Sequence, residues 1–264
     1  MKKLKFIIIA LVAILGFNNC SKEFNNDKNK KLIEYSRVDE NNATTTIVSF
    51  SYDDKGRLVS AVEESLLLSE TDSTFSSSVT YIWDKDAVKV IAEKTEDDDT
   101  PNYTIKLKKG RFANIIYDDE PTNEDYIYEY NSNKNLLIRY GDIINLTLTW
   151  NADKIISNTL GASGVNLKYK YTYDNISCVK GYCPNVLWST FDYIEVAHPE
   201  LAGLVTKQCP ISAESVVYIG DEILVAINAT FEYEFDEDGY INKIKEYSTS
   251  EDGESNFTYT LTWE

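Results

Sequence analysis

Over much of the chain apolar and polar side chains take strict turns, which places one set on each face of a β-strand. Val48, Phe50 and Tyr52 alternate with Ser49 and Ser51; Ile144, Leu146, Leu148 and Trp150 alternate with Asn145, Thr147 and Thr149. Leu167, Tyr169, Tyr171 and Tyr173 alternate with Lys168, Lys170 and Thr172; Phe231, Tyr233 and Phe235 with Glu232 and Glu234; Phe257, Tyr259, Leu261 and Trp263 with Thr258, Thr260 and Thr262. The pattern predicts half-buried antiparallel strands. The clearest runs span about six or seven residues, short of the roughly 9–11 a membrane-spanning strand needs, so the expectation is a β-domain that stays in water.

These strands end alike, in an aromatic residue, an Asp or Asn, and a short polar turn. The copies are Tyr52-Asp53-Asp54-Lys55-Gly56-Arg57-Leu58, Trp83-Asp84-Lys85-Asp86-Ala87, Tyr130-Asn131-Ser132-Asn133-Lys134-Asn135-Leu136, Trp150-Asn151-Ala152-Asp153-Lys154 and Phe235-Asp236-Glu237-Asp238-Gly239-Tyr240-Ile241. Tyr173-Asp174 starts another and breaks off, and Lys108-Lys109-Gly110-Arg111 adds a plain turn. Asp and Asn bond their own backbone two residues on, and Gly56 and Gly239 stand where a left-handed residue closes a hairpin. The reading is turn chemistry rather than ligand binding. Because the copies are unevenly spaced, a meander of unequal hairpins is expected, not a propeller of fixed period.

Residues 176–216 break the pattern. They hold Cys178, Cys183 and Cys209, the only His, and Pro184, Pro199 and Pro210. Pro199-Glu200 suits the first turn of a short helix and Gly203 its end. A helical insertion around 184–210, packed over one sheet face or end, is expected.

The N-terminus reads as an export signal. Lys2, Lys3 and Lys5 precede twelve apolar-rich residues, Phe6 to Phe17, and such a helix rises about 18 Å, too little to span a bilayer. Cys20 follows, as in bacterial lipoprotein signals, and is taken as the lipid-bearing residue. Residues 1–19 are then the signal peptide, 20–31 the lipidated Cys and a polar tether, and 32–264 a single β-domain. The chain carries 43 acidic against 26 basic residues, a net charge of −17. That surplus argues against nucleic acid and against anionic lipid surfaces as partners.

Candidate chemistry is thin. Cys178, Cys183, His198 and Cys209 have the ligand types of a structural zinc site, but at loose spacing. A Cys178–Cys183 disulfide, or buried thiols, is preferred in an exported chain. Gly161-Ala162-Ser163-Gly164 lacks the spacing of a nucleophile elbow, no phosphate-binding glycine loop is present, and no residue is assigned a catalytic role. Acid-rich stretches at Glu96-Asp97-Asp98-Asp99, Asp118-Asp119-Glu120 and Asp236-Glu237-Asp238 offer oxygen ligands that would hold Ca²⁺ only adventitiously; no cofactor is expected. Nineteen tyrosines, among them Tyr169, Tyr171, Tyr233 and Tyr259, suit either a wet-rimmed core or an aromatic platform for sugars.

The Tyr52–Leu58 and Phe235–Ile241 hairpins and the lipoprotein start carry a resemblance. So does the run from Tyr173-Asp174 through a Pro184-Asn185 turn and a helix to Thr206-Lys207-Gln208-Cys209-Pro210. Over roughly residues 35–264 the chain resembles an exported lipoprotein domain of unknown function with a porin-like fold, common in Bacteroidetes. The resemblance implies a curled, barrel-like antiparallel sheet around a partly helical insertion, and no established activity. The expectation is therefore a mainly all-β, monomeric outer-membrane lipoprotein, facing the periplasm or the cell surface. It would bind a glycan, a peptide or an envelope complex; a structural lipoprotein with only a protein partner is the alternative, and a carbohydrate-active enzyme comes third.

Overall fold

The computed structural model describes residues 30–264, apart from 68–73, 94–101, 119–125, 142–143, 153, 163, 175–179, 181, 184–191 and 252. The strands are β1 (Leu32–Asp39), β2 (Thr44–Tyr52), β3 (Leu58–Leu67), β4 (Thr74–Trp83), β5 (Ala87–Ala92), β6 (Tyr103–Lys108), β7 (Arg111–Tyr117) and β8 (Tyr126–Tyr130). They continue with β9 (Leu136–Gly141), β10 (Ile144–Asn151), β11 (Lys154–Ala162), β12 (Val165–Thr172), β13 (Ser212–Ile219), β14 (Glu222–Phe235), β15 (Ile241–Ser250) and β16 (Gly253–Trp263). These sixteen strands among the described residues form a closed barrel in which each pairs antiparallel with its sequence neighbours and β1 pairs with β16. Closure leaves no unpaired sheet edge.

The repeated aromatic explains itself in the barrel. The hydroxyls of Tyr52, Tyr130 and Tyr173 donate to the carbonyls of Leu32, Phe112 and Ile155, and the indole N–H groups of Trp83, Trp150 and Trp263 to those of Leu58, Leu136 and Ile241, all at 2.6–2.7 Å. Each aromatic thus reaches from the end of an even strand to the start of the odd strand before it; Tyr233 does the same to Pro210. The ladder to the next strand shifts register beside Tyr52, Tyr130 and Trp150, as a β-bulge does. In the turns, Asp53, Asn131 and Asp236 each accept from the N–H groups two and four residues on. Gly56, Lys134 and Gly239 supply the positive φ, at 71°, 68° and 88°. All these turns lie at one barrel end, with the start of β1 and the end of β16, where Glu264 N–H donates to the Lys31 carbonyl at 2.9 Å.

Several strands are longer than the alternating runs indicated: β14 has 14 residues and β16 has 11, so run length does not tell against a spanning strand. Val48, Phe50, Leu146, Leu148 and Leu261 are buried inside, while Ser49, Ser51, Asn145, Thr147, Lys168, Lys170, Glu232 and Glu234 are exposed outside. A lipid-spanning barrel carries its apolar band outward; this one carries it inward. Exposed apolar side chains gather locally at the β13–β14 hairpin, where Ile219, Ile223 and Leu224 neighbour Val165.

The segment between β12 and β13 turns into the lumen. Its described residues form two short helices, α1 (Tyr193–Ala197) and α2 (Pro199–Ala202). As the sequence suggests, Pro199 starts the second and Gly203, at φ 72°, ends it; α1 also lies within the helical insertion expected at 184–210, though no helix was singled out at 193–197. Rather than lying over a sheet face, the helices sit within the barrel, with Ile194, Glu195, Ala202 and Leu204 fully buried. Leu136 N–H donates to the Gly203 carbonyl, and the Arg111 guanidinium to that of Glu200.

Candidate functional site

Two polar constellations lie inside the barrel. The first holds α1 against the β3–β9 side. Glu195 accepts from the Tyr128 hydroxyl at 2.9 Å, from Arg139 at 2.7 Å and from Asp192 N–H at 2.9 Å. The Glu195–Arg139 pair is an ion pair with side chains 1% and 11% exposed. Asp192 accepts from the hydroxyls of Tyr81 and Tyr103. Burial, and then the charge of Glu195, push the Asp192 carboxyl up to about 7. Burial and the same carboxylate raise the Tyr128 hydroxyl well above its ordinary value, so it remains a donor. Both carboxylates and the hydroxyls of Tyr81, Tyr103 and Tyr128 are spent on protein partners, which makes this constellation structural.

His198 is also spent. Its Nε2 accepts from Leu58 N–H at 3.0 Å and its Nδ1 faces Glu200 at 3.0 Å, which fixes the neutral tautomer with the proton on Nδ1. Tyr52 and Trp83 pack edge-on against the ring. Neither nitrogen is available to a metal in this arrangement. Cys183 and Cys209 are buried, and Cys178 lies outside the described residues, as does Cys20. Among the described residues no three His, Cys, Asp or Glu side chains gather as a metal site. Of the acid-rich stretches, 96–99 and 119–120 lie outside the described residues, Asp118 pairs with Lys89 at 3.4 Å, and Asp236 shapes its hairpin turn. Ser163 likewise lies outside.

The second constellation lines a cavity of about 550 Å³ on the β12–β16 and β1–β3 side. It stretches from mid-barrel to Ser250 and Gly253 at the end opposite the tight turns. Part of the lining is aromatic or small: Tyr169, Tyr171, Ala213, Ala229 and Phe231. Tyr169 and Tyr171 point the same way from β12, their rings parallel within 3° and 6.2 Å apart. The cavity exists because register sets Tyr171, Ala213, Ala229, Ser248 and Ser255 side by side across five strands, leaving the lumen unfilled at that level.

Polar side chains share the same lining. Glu246 accepts from the hydroxyls of Tyr259 at 2.8 Å and Ser248 at 2.9 Å, and Glu63 accepts from Tyr193 of α1. Arg37 lies over the Phe257 ring, 4.2 Å from its centre. Burial and then Glu246 raise the Tyr259 hydroxyl above its ordinary value, which keeps it a donor. Tyr169, Tyr171 and Tyr259, three tyrosines considered as a platform, do line the cavity, whereas Tyr233 is committed to Pro210. Arg37, Glu63 and Glu246 were not foreseen: they line one cavity only once β15, β16, β1, β2 and β3 are placed side by side.

Neither a protein-family model nor a curated protein matches the chain. Solved structures do. A porin-like protein from Bacteroides uniformis superposes with a TM-score of 0.63 at 10% identity, over 88% of this chain and 98% of its own. The fold is porin-like. A second porin-like protein, from Bacteroides vulgatus, superposes with a TM-score of 0.53 at 11% identity, over 89% and 99% of the two chains. At such identity the likeness is one of fold. It bears out the architecture that the hairpins and the resemblance implied, an all-β barrel around a short helical segment, and extends it to full closure.

Proposed function

We propose that the chain is a cell-envelope binding module that takes a small ligand, a glycan or a peptide, into the lumen cavity. The carrying observation is the cavity itself: about 550 Å³, within the roughly 300–1,000 Å³ of small-ligand sites, with aromatic and polar side chains together in its lining. The two cavity carboxylates already accept hydrogen bonds from protein hydroxyls, which suits hydrogen bonding to a ligand better than acid–base chemistry, so a non-enzymatic role is favoured. The polar outer wall supports a barrel standing in water as a monomer. In this reading residues 1–19 direct export, and a lipid on Cys20 tethers the barrel to the outer membrane, facing the periplasm or the cell surface. A structural lipoprotein that meets only a protein partner is the second reading, favoured by the exposed apolar hairpin of Ile219, Ile223 and Leu224.

Thermal unfolding of the full chain carrying Cys20→Ser, with and without neutral glycan and peptide pools, tests the proposal. Ligand at about 100 times Kd adds about 2.7 kcal/mol to the folded state, a rise of about 5–11 °C for a domain of this size. Ala229→Phe, which fills the cavity, should abolish that rise. A flat response to every pool, or a rise that Ala229→Phe leaves intact, would remove the lumen as the site.

A further inference from the structure

The cavity's chemistry narrows its ligand, on the assumption that the binding reading above holds. An acyl chain would strand the polar lining, where Thr46, Ser215, Ser248, Ser255, Glu246 and Arg37 face the space; buried polar groups without partners are costly. An extended peptide is usually captured by adding a strand to a sheet edge, and the closed barrel has none to offer. Anionic ligands meet two carboxylates, Glu63 and Glu246, against one guanidinium, Arg37, which already lies on Phe257. The local balance is negative, and like charge at close range repels.

What remains is a neutral ligand with one flat apolar face and several hydroxyls. Tyr169 and Tyr171 supply two parallel rings 6.2 Å apart on one strand, each with aromatic surface at the cavity. Two hydroxyls of the lining are open to a ligand. Ser215 is 9% exposed and lines the cavity, and its side chain has no hydrogen bond among the described residues. Tyr169, directly across from it in register, is likewise without a hydroxyl partner among them. Tyr171, by contrast, donates to Asn158. A nearly buried hydroxyl that opens into a cavity, with its hydrogen-bonding capacity unspent on the protein, is placed to bond a ligand there.

We infer that the cavity is a saccharide site for a short, uncharged oligosaccharide, its apolar ring faces laid on Tyr169 and Tyr171 and its hydroxyls bonded to Ser215, Tyr169, Glu246 and Arg37. The aromatic pair carries affinity, and the open hydroxyls carry selectivity, since a site built to bond a hydroxyl rejects an analogue that lacks it.

Titration calorimetry on the full chain with Cys20→Ser is the test, with maltotriose, xylotriose and chitotriose as neutral probes, trigalacturonate as the anionic probe and trialanine as the peptide probe. Saturable binding of at least one neutral trisaccharide is expected, with trigalacturonate at least tenfold weaker. Tyr169→Ala should weaken the neutral probe at least tenfold and Ser215→Ala about two- to tenfold, each with a cooperative melt like that of the parent. If trigalacturonate or trialanine binds more tightly than every neutral probe, and Tyr169→Ala abolishes that binding, the saccharide assignment falls while the lumen site stands. If a neutral probe binds but Tyr169→Ala, Ser215→Ala and the cavity-filling Ala229→Phe all leave it unchanged, both fall. Silence from all five probes overturns the saccharide assignment.

Discussion

Replacing Arg139 by Met should be among the most damaging single changes available to this barrel. The guanidinium sits 2.7 Å from Glu195, and the two side chains are 11% and 1% exposed. Met preserves much of the arginine stem's bulk but leaves the Glu195 carboxylate buried on α1 with only the Tyr128 hydroxyl and Asp192 N–H as donors. Breaking a buried pair by removing one partner costs about 3–5 kcal/mol, because the remaining charge is uncompensated. For a domain of this length, 1 kcal/mol shifts Tm by about 2–4 °C, so a loss of about 6–20 °C is expected. The assay is urea unfolding at pH 7.5, followed by far-UV circular dichroism and by tryptophan fluorescence. Coincident transitions would license a two-state free energy. Adding Glu195→Gln to the same chain removes the orphaned charge and keeps an acceptor for Tyr128. The double variant should therefore recover at least half of the loss. A single variant costing under about 1 kcal/mol, or a double variant no better than the single, would refute the view that this ion pair holds the helices in the lumen.

Two further outcomes concern the same inner structure. Asp192, with a folded-state pKa of about 7 against about 3.9 in an unfolded chain, keeps its proton in the native state where the unfolded state has lost it. The native state thus binds more protons between about pH 4 and 7, and stability should fall as pH rises through that window and level off above it. Asp192→Asn should flatten that slope, read from urea midpoints at half-unit pH steps; an unchanged slope would show that another group titrates there. Gly203→Ala should destabilise by about 2 kcal/mol or more, since a Cβ at φ 72° would lie 2.7 Å from the Lys134 carbonyl, 2.8 Å from Tyr130 and 2.9 Å from Leu136 N. Gly220→Ala, also at positive φ but with nothing within 4 Å, should cost only about 1 kcal/mol, and equal melting temperatures would show that the close approach at Gly203 is unimportant.

Local chemistry wrote the hairpins legibly. An aromatic followed by Asp or Asn, with a left-handed residue three positions on, appears in the sequence as it does in the turns, because every atom involved lies within a few residues. Closure was less legible, because β1 lacks a strong alternation and its partner Trp263 stands 231 residues from Leu32. Helix α1 was hidden for a similar reason. Tyr-Ile-Glu-Val-Ala is a poor helix on its own, and it forms where Glu195 meets Arg139 and Tyr128, both more than fifty residues away. The cavity depends on register: Ala213, Ala229 and Ser248 are ordinary small residues until strand pairing sets them side by side.

The pairing of β1 with β16 has a consequence for the order in which the barrel can be made. Every other pairing joins strands that follow one another in the chain, whereas this one joins the first strand to the last. A chain emerging from its N-terminus can therefore lay down hairpin after hairpin, yet it carries two raw edges until Trp263 arrives. Those edges are adhesive to other chains for as long as they stay open. Loss of the last strand would not give a barrel of fifteen; it would give an open sheet with a helix meant for an enclosed lumen and no wall on one side.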